Sequence, residues 1–499
     1  MLDSKEFVDI RFQEEARHKK PVGIYWLQSL SMGLIGGDPT KIWKYRLVSF
    51  FGATLSVLLT FWMARTFLSN GGAFFTALLF ASTILIGVEA HIAKTDAALL
   101  SLIVAAQGLL ARLWRDEHPH GTGLALLFWM CLGAGILVKG PIILLVSGGT
   151  VAALSLWDRN LRWLKRLRPL SGILVMAVIA VPWYVAIGLR TEGAFFQEAI
   201  AKDFLGKIAS GQESHGAPPG VHTVAMLATF WPASALLVMF LPNLRAALNR
   251  PEIKFALCWA VPTWLVFELT ATKLPHYVLP VFPALALLVW VLIGEAGDRP
   301  PKKWLLRLSA FWLALVPILI FTGSVVVPII LNNPIVWPAT ILLAGAGGVG
   351  ILAAKSLLRL NFPKTVILAA VATALISSGA YGLALPQLPA LWISSEIVTA
   401  AKRGSKCESP RIVSVGWREP SLVFLAGTET ALRTAESALD GAGSGACLVY
   451  AVEHRQSERF LAVADQSGLL LGSIGVVEGF ALNGGDRISM TLYQKTGSQ

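Results

Sequence analysis

Runs of uncharged, apolar residues long enough to cross a lipid bilayer recur along this chain, and they constrain its fold more than any other feature. Residues 66–88 carry no charge, nor do residues 97–111, and comparable runs follow. About 18–20 apolar residues suffice to cross a hydrocarbon core ~30 Å thick, and backbone groups inside it must be satisfied by helices or closed barrels. Only 14% of the 499 residues are charged and 55% are hydrophobic, against about 25% charged in an average soluble domain. The pattern predicts twelve membrane helices, at about 43–66, 71–88, 96–114, 122–138, 140–157, 169–188, 221–243, 253–271, 276–296, 305–329, 337–356 and 365–386. The predicted fold class is therefore an all-α polytopic membrane protein, followed by a small C-terminal α/β domain.

The net charge of +12 is a topology signal and not a nucleic-acid footprint. One set of loops holds 18 Lys and Arg. The opposite set holds 6, namely Lys94, Lys139, Arg190, Lys202, Lys207 and Lys273. The positive-inside rule puts the first set in the cytoplasm and the second outside. Residues 1–42, the loop 189–220 and the domain 387–499 then lie on the outer side. The first of these is too polar to insert, which leads to the expectation of an upstream span beyond this sequence. Within it, "PVGIYWLQSLSMGLIG" reads as an amphipathic helix in the interface. In the C-terminal domain "RIVSVG", "ACLVYAV" and "RISMTLYQ" read as strands and "ETALRTAESALDG" as a helix. The four cysteines show neither CxxC nor zinc spacing. Cys131 and Cys258 fall in apolar runs, whereas Cys407 and Cys447 can pair if their domain faces an oxidising compartment.

Ionisable residues near membrane depth are costly and mark functional candidates. Here they gather at outer helix ends. "EAHIAKTDAALL" places Lys94 and Asp96 between two apolar runs, "LVKGPI" places Lys139 there, and "TKLPHYVLP" adds Lys273, His276 and Tyr277, with Glu268 slightly deeper. Arg17 and Lys20 precede the interfacial helix, and His215 lies in the long outer loop. Taken singly, each lysine can be snorkelling, Asp96 can be a helix cap, and His18, His215 and His222 can be ordinary packing or loop residues. The sidedness of the set favours a shared anion. Several cations, a carboxylate and apolar walls suit a lipid phosphate carrying a polar head. When a sugar leaves a polyprenyl phosphate, the diester becomes a monoester and gains negative charge. Lysines placed there bind the transition state more strongly than the ground state. A neighbouring carboxylate can orient the acceptor and take its proton. No strand–helix junction carries a nucleotide-binding glycine motif.

The stretches "RFQEEARHKKPVGIYWLQ", "AKTDAALL", "VKGP", "VPWYVAI" and "TKLPHYVLPVFPALALL", in this order, resemble the GT-C-fold glycosyltransferases that use polyprenyl-phosphate sugars. The nearest branch is the bacterial 4-amino-4-deoxy-L-arabinose transferases of lipid A, related to protein O-mannosyltransferases. The resemblance covers about residues 5–390. It implies 13 spans in the full family, an inner-membrane location, and an active site and C-terminal domain facing the periplasm. It also matches Asp96, taken here as the catalytic residue, to the family's second conserved acidic position, with Lys20 at the lipid phosphate, Lys273 and Tyr277 at the cavity, and His215 in the loop closing over it. Arg17, Lys94 and Lys139 complete the expected phosphate and cavity set. Two departures stand out. The family's acidic pair in a "D-E-x-R-[YF]" segment, the leading candidate for its essential catalytic carboxylate, has no counterpart here, Asp3 being off register, so the transferase expectation supposes that this motif lies upstream. Lys19 also stands where the arabinose transferases have a glutamate that helps hold a metal, so no zinc or other cofactor is predicted. The expected partners are a polyprenyl-phosphate-linked sugar, membrane lipids, and a lipid A or lipopolysaccharide acceptor, without nucleic acid. A protein acceptor is the enzymatic alternative. A lipid-linked-sugar transporter or a non-catalytic binding protein are alternatives of other classes, although no internal repeat of the transporter kind is evident.

Overall fold

The computed structural model describes residues 1–2, 4–115, 121–199, 216–297, 299–440, 447–482 and 484–496. The expected loop residues Lys202, Lys207 and His215, and Asp3, lie outside the described residues. The chain divides into two compact units, Met1–Phe321 with Ile341–Ser378, and Thr322–Thr340 with Gly379–Gln499.

Among the described residues, eight helices are long and apolar enough to cross a membrane, or up to nine with one bent pair counted. All twelve segments predicted above are largely helical, but four fail that length and composition test alone. The 71–88 segment is a pair of helices, α3 (Asn70–Ala81) and α4 (Ile84–Ala90), bent by 66° at Ser82–Thr83. The helix Ile142–Asp158 is short, Pro251–Leu269 carries three charges, and 221–243 is broken where Trp231 meets Pro232. Proline removes a backbone donor and clashes with the preceding turn, which accounts for that last break.

The first unit is built around α5 (Asp96–Arg115), which is buried along most of its length. It packs against α2 (Trp43–Ala64) and α6 (Gly121–Lys139). Two glycines bring backbones together next to the residues of interest. A Cβ at Gly52 of α2 would stand 2.7 Å from the Ala97 carbonyl, so α2 lies against the N-terminus of α5. A Cβ at Gly23 of α1 (Gly23–Ile35) would stand 2.7 Å from the Leu137 carbonyl, two residues before Lys139. Outward faces stay apolar: Leu170, Leu174 and Val178 of the helix Pro169–Arg190 are all exposed. Such a face is stable only in lipid. The helix α1 likewise exposes Trp26, Leu27, Leu30 and Leu34.

The second unit contains a five-stranded sheet in the order β4-β3-β5-β7-β6. Its strands are β3 (Arg411–Val415), β4 (Ala431–Arg433), β5 (Leu448–Glu453), β6 (Leu471–Phe480) and β7 (Arg487–Lys495). A short hairpin near the N-terminus, in the first unit, supplies β1 (Arg11–Phe12) and β2 (Glu15–Ala16). The three expected strands form, but the helix expected over 429–441 does not. Instead Ala431–Arg433 joins the edge of the sheet, pairing in parallel with Val413–Val415. Ladder hydrogen bonds to β3 override the local helical preference of an Ala-rich segment, which is a weak determinant. Cys407 and Cys447 form a disulfide with a Cα separation of 6.4 Å.

Candidate active site

The N-terminus of α5 begins at Thr95, whose carbonyl accepts the first helical bond from the Leu99 amide at 2.9 Å. Asp96 therefore occupies the first turn, where a carboxylate is favoured by the helix dipole. Its side chain does not serve as a cap. Oδ1 accepts from the Lys139 Nζ at 2.5 Å, while the Thr95 hydroxyl lies 3.5 Å from Oδ2. Asp96 is 7% exposed and Lys139 20%, so this ion pair across two helices joins a buried carboxylate to a partly exposed ammonium. Such a pair gains little over an apolar alternative, but removing one partner costs about 3–5 kcal/mol.

A cavity of about 440 Å³ opens beside this pair. Its polar lining includes Lys19, Lys20, Asp96, Lys139, Tyr184, His276 and Tyr277, and its walls are Leu99, Leu100, Ile136, Phe195, Phe267 and Leu279. The Lys139 ammonium also sits 5.6 Å from the centre of the Tyr277 ring. Among the described residues no group of three or more His, Cys, Asp or Glu side chains is arranged to hold a metal.

The structure thus brings together four of the expected residues, Lys20, Asp96, Lys139 and Tyr277. Three others do not line the cavity. Lys273 is 7% exposed and turns to the Thr270 carbonyl, outside the cavity lining. Arg17 sits 5.6 Å over the Phe12 ring, again outside the lining. Lys94 lies 3.8 Å from Glu89 Oε1.

Two residues without an assigned role in the sequence reading enter the site. His276 lines the cavity and stands between two carboxylates: Nε2 is 3.9 Å from Asp96 Oδ1 and Nδ1 is 3.9 Å from Glu89 Oε1. Glu89 itself is 2% exposed. The signal for Glu89 was a lone carboxylate ending a long uncharged run; nothing local linked it to a histidine far along the chain.

A second histidine cluster closes the neighbouring segment. His222 Nδ1 lies 2.9 Å from Glu268 Oε2, and Nε2 lies 3.1 Å from the Leu274 carbonyl. Glu268 also accepts from the Gly220 amide at 2.9 Å and the Thr223 hydroxyl at 3.1 Å. This clasp ties residues 220–223 to the backbone that carries His276 and Tyr277. His18, likewise read as an ordinary packing residue, lies 3.1 Å from Asp9 and 3.2 Å from Glu198.

Residues 19–185 match the family model described as dolichyl-phosphate-mannose-protein mannosyltransferase. The undecaprenyl phosphate-alpha-4-amino-4-deoxy-L-arabinose arabinosyl transferase of Erwinia tasmaniensis is 28% identical over 304 residues, 59% of this chain and 53% of that protein. Its namesake in Aeromonas hydrophila is 28% identical over 346 residues, 65% and 60% of the two chains. The chain thus spans little more than half the length of the curated relatives it matches. Among solved structures, ArnT from Cupriavidus metallidurans bound to undecaprenyl phosphate superposes with a TM-score of 0.74 at 20% identity, covering 99% of this chain and 91% of that one. The oligosaccharyltransferase AglB from Archaeoglobus fulgidus gives 0.51 at 12% identity, covering 92% and 61%. The resemblance carried by the motifs is therefore borne out, and the chain is a GT-C-fold membrane protein similar to the undecaprenyl-phosphate aminoarabinose transferases.

Proposed function

We propose that this protein is a glycosyltransferase that moves one sugar from a polyprenyl phosphate to an acceptor in the outer leaflet, lipid A or the lipopolysaccharide core. The observation that carries this reading is the apolar cavity holding Lys19 and Lys20 on one side and the Asp96–Lys139 pair on another. Lys19 and Lys20 take the phosphate, whose charge rises as the sugar leaves, and they bind it best at that moment. Asp96 is the catalytic carboxylate that orients the acceptor hydroxyl and receives its proton. Lys139 fixes the carboxylate, and the Tyr277 ring forms a wall for the sugar. Tyr184, Phe195 and Leu279 exclude water from the reacting centre.

In this reading the site and residues 387–499 face the periplasm across the inner membrane. The basic-residue asymmetry supports that orientation, and the Cys407–Cys447 disulfide suits an oxidising compartment. The relatives named for aminoarabinose transfer favour a lipid A acceptor, while the mannosyltransferase family model keeps a protein acceptor as second reading.

The test is the mass of lipid A extracted from cells expressing the chain. Wild type is expected to add one sugar, and Asp96→Asn and Lys20→Ala are expected to abolish the increment. Unmodified lipid A in the wild type, with a glycosylated membrane protein instead, moves the assignment to the protein acceptor.

A further inference from the structure

The pairing of Asp96 raises a difficulty for the proton it is proposed to receive. Its Oδ1, on a buried carboxylate, is held at 2.5 Å by the partly exposed Lys139 ammonium. A proton left on Asp96 would cancel that ion pair and leave Lys139 as a charge without a counter-ion, which is unfavourable away from water. A second acceptor close by would relieve this. The geometry supplies one. His276 reaches from the cavity wall toward both carboxylates, 3.9 Å from Asp96 through Nε2 and 3.9 Å from Glu89 through Nδ1. Glu89 does not line the cavity, and its Oε2 is buried with no hydrogen-bond partner among the described residues. His276 and the Lys94 ammonium both face the other oxygen, Oε1, at 3.9 and 3.8 Å, so neither oxygen of this carboxylate is closed by a hydrogen bond shorter than that among the described residues. The 3.9 Å separations exceed a hydrogen bond, but catalytic contacts are commonly long in empty sites and tighten when substrate binds.

We propose that His276 and Glu89 form a proton relay behind Asp96, with Glu89 as the temporary proton store. This deepens the transferase reading and rests on it. The acceptor O–H bond breaks as its oxygen bonds the anomeric carbon of the sugar. The bond from that carbon to the phosphate oxygen breaks, and its electron pair stays on the phosphate. Asp96 takes the hydroxyl proton, His276 Nε2 takes it from Asp96, and Nδ1 gives its own proton to Glu89 Oε1. Asp96 is then again the charged partner of Lys139. When the products leave and water enters, Glu89 returns its proton to His276 Nδ1 while Nε2 gives its proton to that water, which restores both groups. Glu89 acts through His276, so it is a positioning residue, while His276 faces the cavity directly. The charged groups around Glu89 are Lys94, Asp96, Lys139, Lys20 and His276. His222, on the 221–229 helix that also packs against α4, turns instead to Glu268.

The experiment uses the full chain in lipid nanodiscs with undecaprenyl phosphate as the probe, and reads infrared difference spectra across pH. The relay requires a protonated-carboxyl band that titrates in the wild type, disappears in Glu89→Gln and shifts in His276→Gln. In parallel, transfer from undecaprenyl-phosphate aminoarabinose to lipid A is measured. Both variants are expected to lower kcat about 10- to 100-fold with donor KM unchanged, and to displace one limb of the pH profile. A merely structural Glu89, acting as counter-ion to Lys94, would leave the pH profile in place and make Lys94→Gln behave like Glu89→Gln. That result overturns the relay, as does a titrating band that survives Glu89→Gln. If the wild type transfers sugar neither to lipid A nor to a membrane protein, the transferase reading fails, and the infrared band alone decides where the proton is held.

Discussion

Two histidines in this protein face carboxylates in the same region of the fold, and they are built differently. His222 is closed on both sides: its ring nitrogens lie 2.9 Å from Glu268 and 3.1 Å from the Leu274 carbonyl. Glu268 in turn takes bonds from Gly220 and Thr223. His276 has no such closure, standing 3.9 Å from each of Asp96 and Glu89 and facing a cavity. A fully bonded polar cluster fixes backbone and has nothing left to exchange. An incompletely bonded one at a cavity wall keeps donors and acceptors for a substrate. The first is a clasp and the second is a place for chemistry.

The most severe test of this contrast is Asp96→Asn. It is expected to cut sugar transfer about 10²–10⁴-fold by removing the proton acceptor; thermal scans should show a lowered melting temperature, because Lys139 loses its counter-ion, but a folded protein at assay temperature. A comparably folded variant with near-normal transfer would sink the role of Asp96. Next in size is Lys139→Met, which leaves the buried Asp96 charge without its partner. A loss of about 3–5 kcal/mol in unfolding free energy is expected in mixed micelles, and the double variant with Asp96→Asn should recover much of it. If the double variant is no more stable than Lys139→Met, the two residues are not coupled.

Glu268→Gln should act the other way round from Asp96→Asn. Breaking the clasp is expected to cost about 1–3 kcal/mol, because the buried His222 ring loses its carboxylate partner. The effect on transfer should follow the displaced segment and show mainly in KM. A kcat loss with unchanged stability would mean that this cluster also takes part in the chemistry.

The smallest effect is expected at the N-terminal hairpin. Burial of Asp9 works against its charge, but hydrogen bonds from Arg11 and His18 outweigh it and hold the carboxyl below its ordinary range. A carboxyl lowered on folding contributes stability above its unfolded value, and that contribution disappears as pH falls through the folded one. Protease cleavage within residues 5–18 should therefore rise only in acid below the usual carboxylate range. Asp9→Asn should be cleaved faster at neutral pH and lose that dependence.

Eight of the twelve expected spans were legible from apolar length alone, because lipid demands a nearly uncharged helix and leaves few alternatives. The strands at 411–415, 448–453 and 487–495 were legible from β-branched and alternating residues. Asp96 and Lys139 stood out because charges at apolar helix ends are rare. The segment 431–433 was misjudged because its strand state depends on an edge of β3 that no local pattern announces. Lys273 was selected for its motif, yet its ammonium turns to the Thr270 carbonyl, a choice made by the fold of the loop.

Sequence alone determined where lipid must surround this chain and which side its basic loops favour, since both follow from counting apolar and charged residues along a line. Only the tertiary structure decided which ionisable groups meet. Glu89, Asp96, Lys139 and His276 come from three separate stretches of chain, and their distances are set by how α5, α6 and the Pro275–Val281 turn pack. Electrostatic coupling depends on separation and burial, and neither quantity is written in the order of residues.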